Sequence, residues 1–355
     1  MDACFLPSPS RAAGLRASMA AGLLSSLHAQ LSPLDPDLDP LPTPPESVLG
    51  CPGVVRPLDF AAYFDLLIVS LDAGSSPLPL PLNRDEVVQR ARRAWDRLVT
   101  SLHNPLPPTA SLAPTLSTLS SAFYDAAEVA SWVRWWDMEP HNALQLRAVS
   151  PEAFDAAETH VRVALNQLRQ VSPDLHGELL AIVSDIVLAE PGPDHRMAFG
   201  GISSFSSWGA ICLNVACHTH WVHYYKKMVH ECAHLLLFAL AQDEPLLLND
   251  PTETYTSPLR EDPRPLDGIY HAAFVSAREA YAIDAYLLHV EAHPAFVVDP
   301  QDVALMQAQL EVSVLAFWDC CAQLADHAQL TPLGQQILDE AKQYMDVAFR
   351  VTVLQ

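Results

Sequence analysis

The chain is predicted to be mostly α-helical with one small β element, on three observations. Half of its 355 residues are apolar, enough for a substantial core. Those residues recur at helical spacing through several long stretches, and proline clusters separate the stretches. Only Ala210 to Ala216 is short, β-prone and flanked by turn residues. The expected organisation is an N-terminal helical lobe with proline-rich connectors over residues 1–110 and a second helical region over 111–355, together one integrated domain.

Near the N-terminus, Arg11 and Arg16 precede the apolar stretch Met19 to Leu27, an arrangement that imitates a secretory signal. The stretch is short and interrupted by serines, so it is not read as an export signal. Residues 31–58 carry Pro33, Pro36, Pro40, Pro42, Pro44, Pro45, Pro52 and Pro57 and read as an extended connector. Helices are expected over Phe60 to Leu71 and Arg84 to Leu102, the second capped by Asn83. After Pro105, Pro107 and Pro108 the helical pattern resumes over Leu116 to Met138. It contains Trp132, Trp135 and Trp136, more aromatic bulk than one buried face accepts, so a neighbouring helix or a ligand groove must cover them. Pro151 and Pro173 open two further helices, ending near Val171 and Leu188. Phe199 to Gly209 reads as turns and loop. The strand at 210–216 follows, and as an edge strand it would pair with a peptide backbone.

Immediately beyond comes His230-Glu231-Cys232-Ala233-His234, inside an apolar run free of proline and glycine that runs from Tyr224 to Leu240. On a helix two histidines four apart lie one turn apart on the same face and can hold one metal ion. That makes residues 111–355 a helical metal-binding region. His218, His220, His223 and Cys217 upstream read as a polar, hydrogen-bonded loop, and His289 with His293, closed off by Pro294, as a surface pair. Lys226 and Lys227, two of only three lysines, read as a solvated helical turn.

A catalytic metal needs at least one more protein ligand and open positions. A proline-rich loop from Thr254 to Leu266 leads to a helix expected over Asp267 to Val290, which carries both His271 and Glu279. With Glu279 as third ligand the set of two histidines and a carboxylate suits a zinc peptidase, in which Glu231 activates water, or a non-haem iron oxygenase. With His271 the site has three histidines. Residues seven apart on a helix differ by about 20° of rotation, so Arg278 shares a face with His271 and offers a cation for an anionic co-substrate.

The loop then adds a more specific signal. Ser257, Pro258, Arg260, Asp262, Pro263, Arg264, Pro265, Leu266, Gly268 and His271 fall in one pattern with Leu259 in a position where a tryptophan is usual. This region, roughly residues 200 to 290, resembles the HExxH-type peptide-modifying proteins of bacteria, regarded as iron- and 2-oxoglutarate-dependent peptide β-hydroxylases. The resemblance implies Fe(II), 2-oxoglutarate and O2 as cofactors and His230, His234 and His271 as metal ligands. It implies Arg260 or Arg264 as the residue that holds the co-substrate carboxylate, with a peptide or protein as substrate. Zinc replaces iron if the peptidase reading holds, and a non-catalytic peptide-binding protein is the third reading.

Forty-two acidic residues against 20 basic ones, a formal charge of −22, argue against nucleic acid or an anionic membrane as partner and favour a cationic peptide. Seven cysteines, an odd number in a long chain, are no disulfide framework and point to a reducing, cytoplasmic setting. The longest apolar runs are about a third of a membrane span.

Overall fold

The computed structural model describes residues 4–71, 83–104, 113–137, 143–193, 199–259 and 262–349. Of the described residues 63% are helical and 8% are in strands, with a small mixed sheet of five strands. The chain divides into two compact units: Pro9–His160 with Glu178–Thr219, and Met1–Ser8 with Val161–Gly177 and His220–Gln355. It passes from one unit to the other after Ser8 and after Thr219, and also within two helices, α6 (Pro151–Val171) and α7 (Pro173–Ile182).

The first unit, the sheet unit, begins with α1 (Pro9–Leu31), a helix where the sequence imitates a secretory signal. Its Met19, Ala20, Leu23, Leu24, Leu27 and Leu31 are buried, so the apolar stretch that imitates a signal forms the inner stripe of a core helix. Arg16 is buried too, and donates to the carbonyls of Ala181 (2.5 Å) and Ile182 (2.9 Å) at the end of α7. A cation there satisfies carbonyls that have no partner within the helix, while burial lowers the Arg16 pKa to about 10. The proline-rich connector contains one short helix, α2 (Glu46–Leu49).

The next two helices match expectation: α3 (Pro57–Leu71), and α4 (Arg84–His103) with the Asn83 carboxamide accepting from the Asp85 and Glu86 amides. The expected helix from Leu116 is instead a strand, β1 (Thr115–Thr118), followed by α5 (Ala126–Trp136) behind a capping box of Asp125 and Glu128. Core packing accounts for the three tryptophans. Trp135 meets Phe64 of α3, while Trp132 and Trp136 stack at 4.5 Å over an apolar cluster that includes Leu144, Leu146, Val187 and Cys212. At the α3–α5 contact the fully buried carboxylate of Asp65 accepts from Arg90 (2.6 Å), Arg134 (2.7 Å), Ser131 (3.1 Å) and the Trp135 indole (3.2 Å).

The remaining strands are β2 (Arg147–Ala148), β3 (Asp185–Glu190), β4 (Gly201–Ser203) and β5 (Ala210–Asn214), in the order β1-β3-β5-β4 with β2 pairing β3. β1, β3 and β5 run parallel, and Ile186, Val187 and Leu188 of β3 are wholly buried. A strand buried on both faces has no alternation, which is why its residues read as the end of a helix reaching Leu188. β5 is not an edge strand. β3 and β4 pair on either side of it, so it has no free edge for a peptide.

The second unit, the helical unit, contains α8 (Trp221–Leu240), α9 (Leu266–Ala292), α10 (Pro300–His327) and α11 (Pro332–Phe349). His220 caps α8, its Nδ1 accepting from the Val222 amide. Two tyrosines fix α9 to its neighbours: Tyr225 of α8 donates to the Ala282 carbonyl, and Tyr270 of α9 donates to the Gly334 carbonyl, both at 2.8 Å. Gly334 lies so close to Leu246 that an added Cβ would sit 2.1 Å from the Leu246 carbonyl oxygen, so only glycine permits this approach.

Candidate functional site

The pentapeptide lies in the middle of α8, and its two imidazole rings are 4.9 Å apart. Facing them, α9 brings His271 and Glu279. His230 Nδ1 donates to Glu279 Oε1 at 2.7 Å, and His234 and His271 are hydrogen-bonded through their Nδ1 atoms at 3.0 Å. Together with Tyr225 on Ala282 and Phe238 against the His271 ring, this pairing shows that α8 and α9 run antiparallel. Helical periodicity puts each pair on one face of its own helix: 230 and 234 are one turn apart on α8, and 271 and 279 about two turns apart on α9.

His271 therefore joins the motif histidines as expected, but Glu279, expected further away, is equally close. Its two oxygens are both engaged. Oε1 accepts from His230, while Oε2 accepts from Ser313 of α10 (2.6 Å) and lies 3.4 Å from the Lys226 ammonium. Lys226 also donates to Gln309 of α10 at 3.0 Å. A carboxylate behind the Nδ1 of a histidine orients the ring and leaves Nε2 to face a ligand. That is the position of Glu279.

Charge and burial follow the same geometry. Burial opposes ionisation of Glu279, but the hydrogen bond and charge of His230, with Lys226 and Lys227, outweigh it and hold its pKa at about 2. Burial pushes His234 well below the ordinary imidazole value, reinforced by His230, His271 and Lys227. Burial also lowers His271, against the opposing pull of Asp267. Both rings are thus kept neutral, the form that binds metal ions. Glu231 is buried, with Oε1 4.0 Å from His230 Nε2.

Imidazoles backed by carboxylates suit zinc or iron(II), so the chemistry of the donor set fits a metal. The arrangement is not yet a coordination shell. Among the described residues no three His, Cys, Asp or Glu side chains are grouped so as to hold an ion. The reason is visible in the hydrogen bonds, since His234 and His271 satisfy each other through Nδ1. A metal would be held by His230, His234 and His271, with the His234–His271 hydrogen bond exchanged for bonds to the ion.

Arg278 is 1% exposed and turned to a different neighbour, its Nη1 donating to the Phe5 carbonyl at 2.5 Å. Sharing a face with His271 is not enough, because α9 is buried on most sides and each stripe meets a different partner. Arg264 holds Asp262 at 2.9 Å, and its backbone pairs with Tyr255 in both directions. Arg260 lies outside the described residues. Leu259 is half exposed. Among the described residues Lys226 places a cation beside the histidine site. Its spacing of four from His230 places it on the motif face, a signal obscured by its position in a polar-looking turn.

Of the other histidines, His218 hydrogen-bonds the Gly200 carbonyl through Nε2 at 2.7 Å, while His289 and His293 stack at 4.1 Å at the end of α9. No protein-family profile matches this chain, and no curated protein sequence matches it.

Proposed function

We propose that the α8–α9 site binds Fe(II), 2-oxoglutarate and O2 and hydroxylates a side chain of a peptide or protein, with His230, His234 and His271 as the metal ligands. The observation that carries this reading is that both oxygens of Glu279 are already engaged, one of them behind His230, while His271 is the third imidazole beside the motif pair. The resemblance of the Ser257 to His271 loop supports the same assignment. Iron with 2-oxoglutarate supplies oxidation of an unactivated C–H bond, coupled to decarboxylation of the 2-oxo acid.

The residues of the chain have separate tasks. Glu279, fixed by Ser313 and Lys226, orients His230. Lys226 places positive charge beside the site, and Arg260 and Arg264 remain proposed partners for the distal carboxylate of the co-substrate. The net charge of −22 favours a cationic peptide substrate. No helix among the described residues is long and apolar enough to cross a membrane. A cytoplasmic setting is part of the proposal.

The competing zinc peptidase reading gives Glu231 a different task, and that separates the two. As the base that activates water, Glu231 replaced by Gln would lose roughly 10² to 10⁴ in rate. In the hydroxylase no such water is activated, so Glu231→Gln is expected to retain iron-dependent conversion of 2-oxoglutarate to succinate even where peptide hydroxylation falls. Succinate is measured with and without peptide at saturating iron. Loss of both activities while metal stays bound contradicts the assignment.

A further inference from the structure

The helical unit holds a second constellation, on a different stripe of α9 from the histidine site. Phe274, Arg278 and Tyr281 lie at i, i+4 and i+7 on α9, and Gln336, Glu340 and Tyr344 lie at i, i+4 and i+8 on α11. The two stripes grip the segment Cys4-Phe5. Phe5 is 1% exposed, its ring 6.1 Å from Phe274, 6.4 Å from Tyr281 and 5.5 Å from Tyr344. The Arg278 guanidinium lies 6.0 Å from the same ring.

The polar contacts go to the backbone of the segment. Glu340 Oε2 accepts from the amides of Cys4 (2.5 Å) and Phe5 (2.8 Å), and Arg278 donates to the Phe5 carbonyl. Gln336 steadies the other oxygen of Glu340 at 2.9 Å. Leu6, the next residue, is half exposed. Side-chain acceptors and donors for main-chain groups, with an aromatic box for one side chain, are contacts that a free peptide of the same sequence can make equally well.

We propose that the α9–α11 groove is a peptide-binding site for a short segment centred on phenylalanine, which the chain's own Cys4-Phe5 segment occupies in cis. The tether gives that segment an effective concentration on the order of millimolar, so it outcompetes a free peptide of equal intrinsic affinity. The groove does not depend on the histidine site, and its test needs no metal.

The probe is a fluorescent, N-acetylated peptide of sequence Ala-Ser-Phe-Leu-Pro-Ser, read by anisotropy against the full chain. Phe5→Ala is expected to tighten its binding at least about tenfold relative to the parent chain, because the cis competitor is weakened. Adding Glu340→Gln or Tyr344→Ala to Phe5→Ala should remove the gain, and a peptide with alanine in place of phenylalanine should not bind. Equal binding to parent and Phe5→Ala chains, or binding that survives loss of the peptide phenylalanine, overturns the proposal. If Phe5→Ala folds poorly, thermal unfolding gives the answer. The phenylalanine peptide must raise its Tm and the alanine peptide must not, and no rise with either overturns the proposal.

Discussion

Replacing His234 with alanine is expected to abolish iron uptake and 2-oxoglutarate turnover while leaving the helical content intact. The imidazole is a proposed ligand and the hydrogen-bond partner of His271, so its loss removes one donor and frees another from its position. With two of three protein ligands left, one of them no longer held in place, the site loses the facial set on which iron depends. Glu279→Gln acts more mildly. It keeps the three imidazoles but exchanges a charged acceptor behind His230 for a neutral one, and metal affinity should fall about 10- to 100-fold. Metal content after anaerobic reconstitution, with circular dichroism as the check on folding, measures both. Iron bound by His234→Ala as tightly as by the parent chain would show that the ligands lie elsewhere.

The second large effect is on stability. Asp65→Ala removes the acceptor shared by Arg90, Arg134, Ser131 and Trp135. The Arg134 side chain is 5% exposed and cannot regain its hydration without opening the α3–α5 contact. Leaving a charge buried without its partner costs about 3 to 5 kcal/mol. Urea unfolding followed by tryptophan fluorescence reads this directly, since Trp132, Trp135 and Trp136 all lie in this unit. A change below about 1 kcal/mol, the range of an exposed ion pair, would contradict the account.

Which parts of this molecule could be read from residues alone follows from what each signal measures. α8 and α9 were legible because their apolar residues recur over long stretches free of proline, bounded by polar or proline-rich loops. The strand β5 was legible from its turn residues. β3 was not, because a doubly buried parallel strand shows the same unbroken apolar run as the end of a helix. α1 was hidden by its likeness to a signal segment, and the early start assigned to α5 absorbed β1.

In the site, the motif pair and the approach of His271 were foreseen, whereas the place of Glu279 was not. Helical spacing says which residues share a stripe of α9, but only packing says whether a stripe faces α8, α10 or the Cys4-Phe5 segment. The same ignorance of neighbours made Arg278 look like a co-substrate ligand, and it hid Lys226, whose partners Glu279 and Gln309 come from two helices further along the chain.

The most direct test of the proposed chemistry is a succinate assay on protein reconstituted anaerobically with Fe(II), given 2-oxoglutarate and then dioxygen. The proposed function predicts succinate that requires both iron and dioxygen and increases when a suitable cationic peptide is added. No succinate under these conditions, together with cleavage of a peptide library by the zinc-loaded protein, would contradict it.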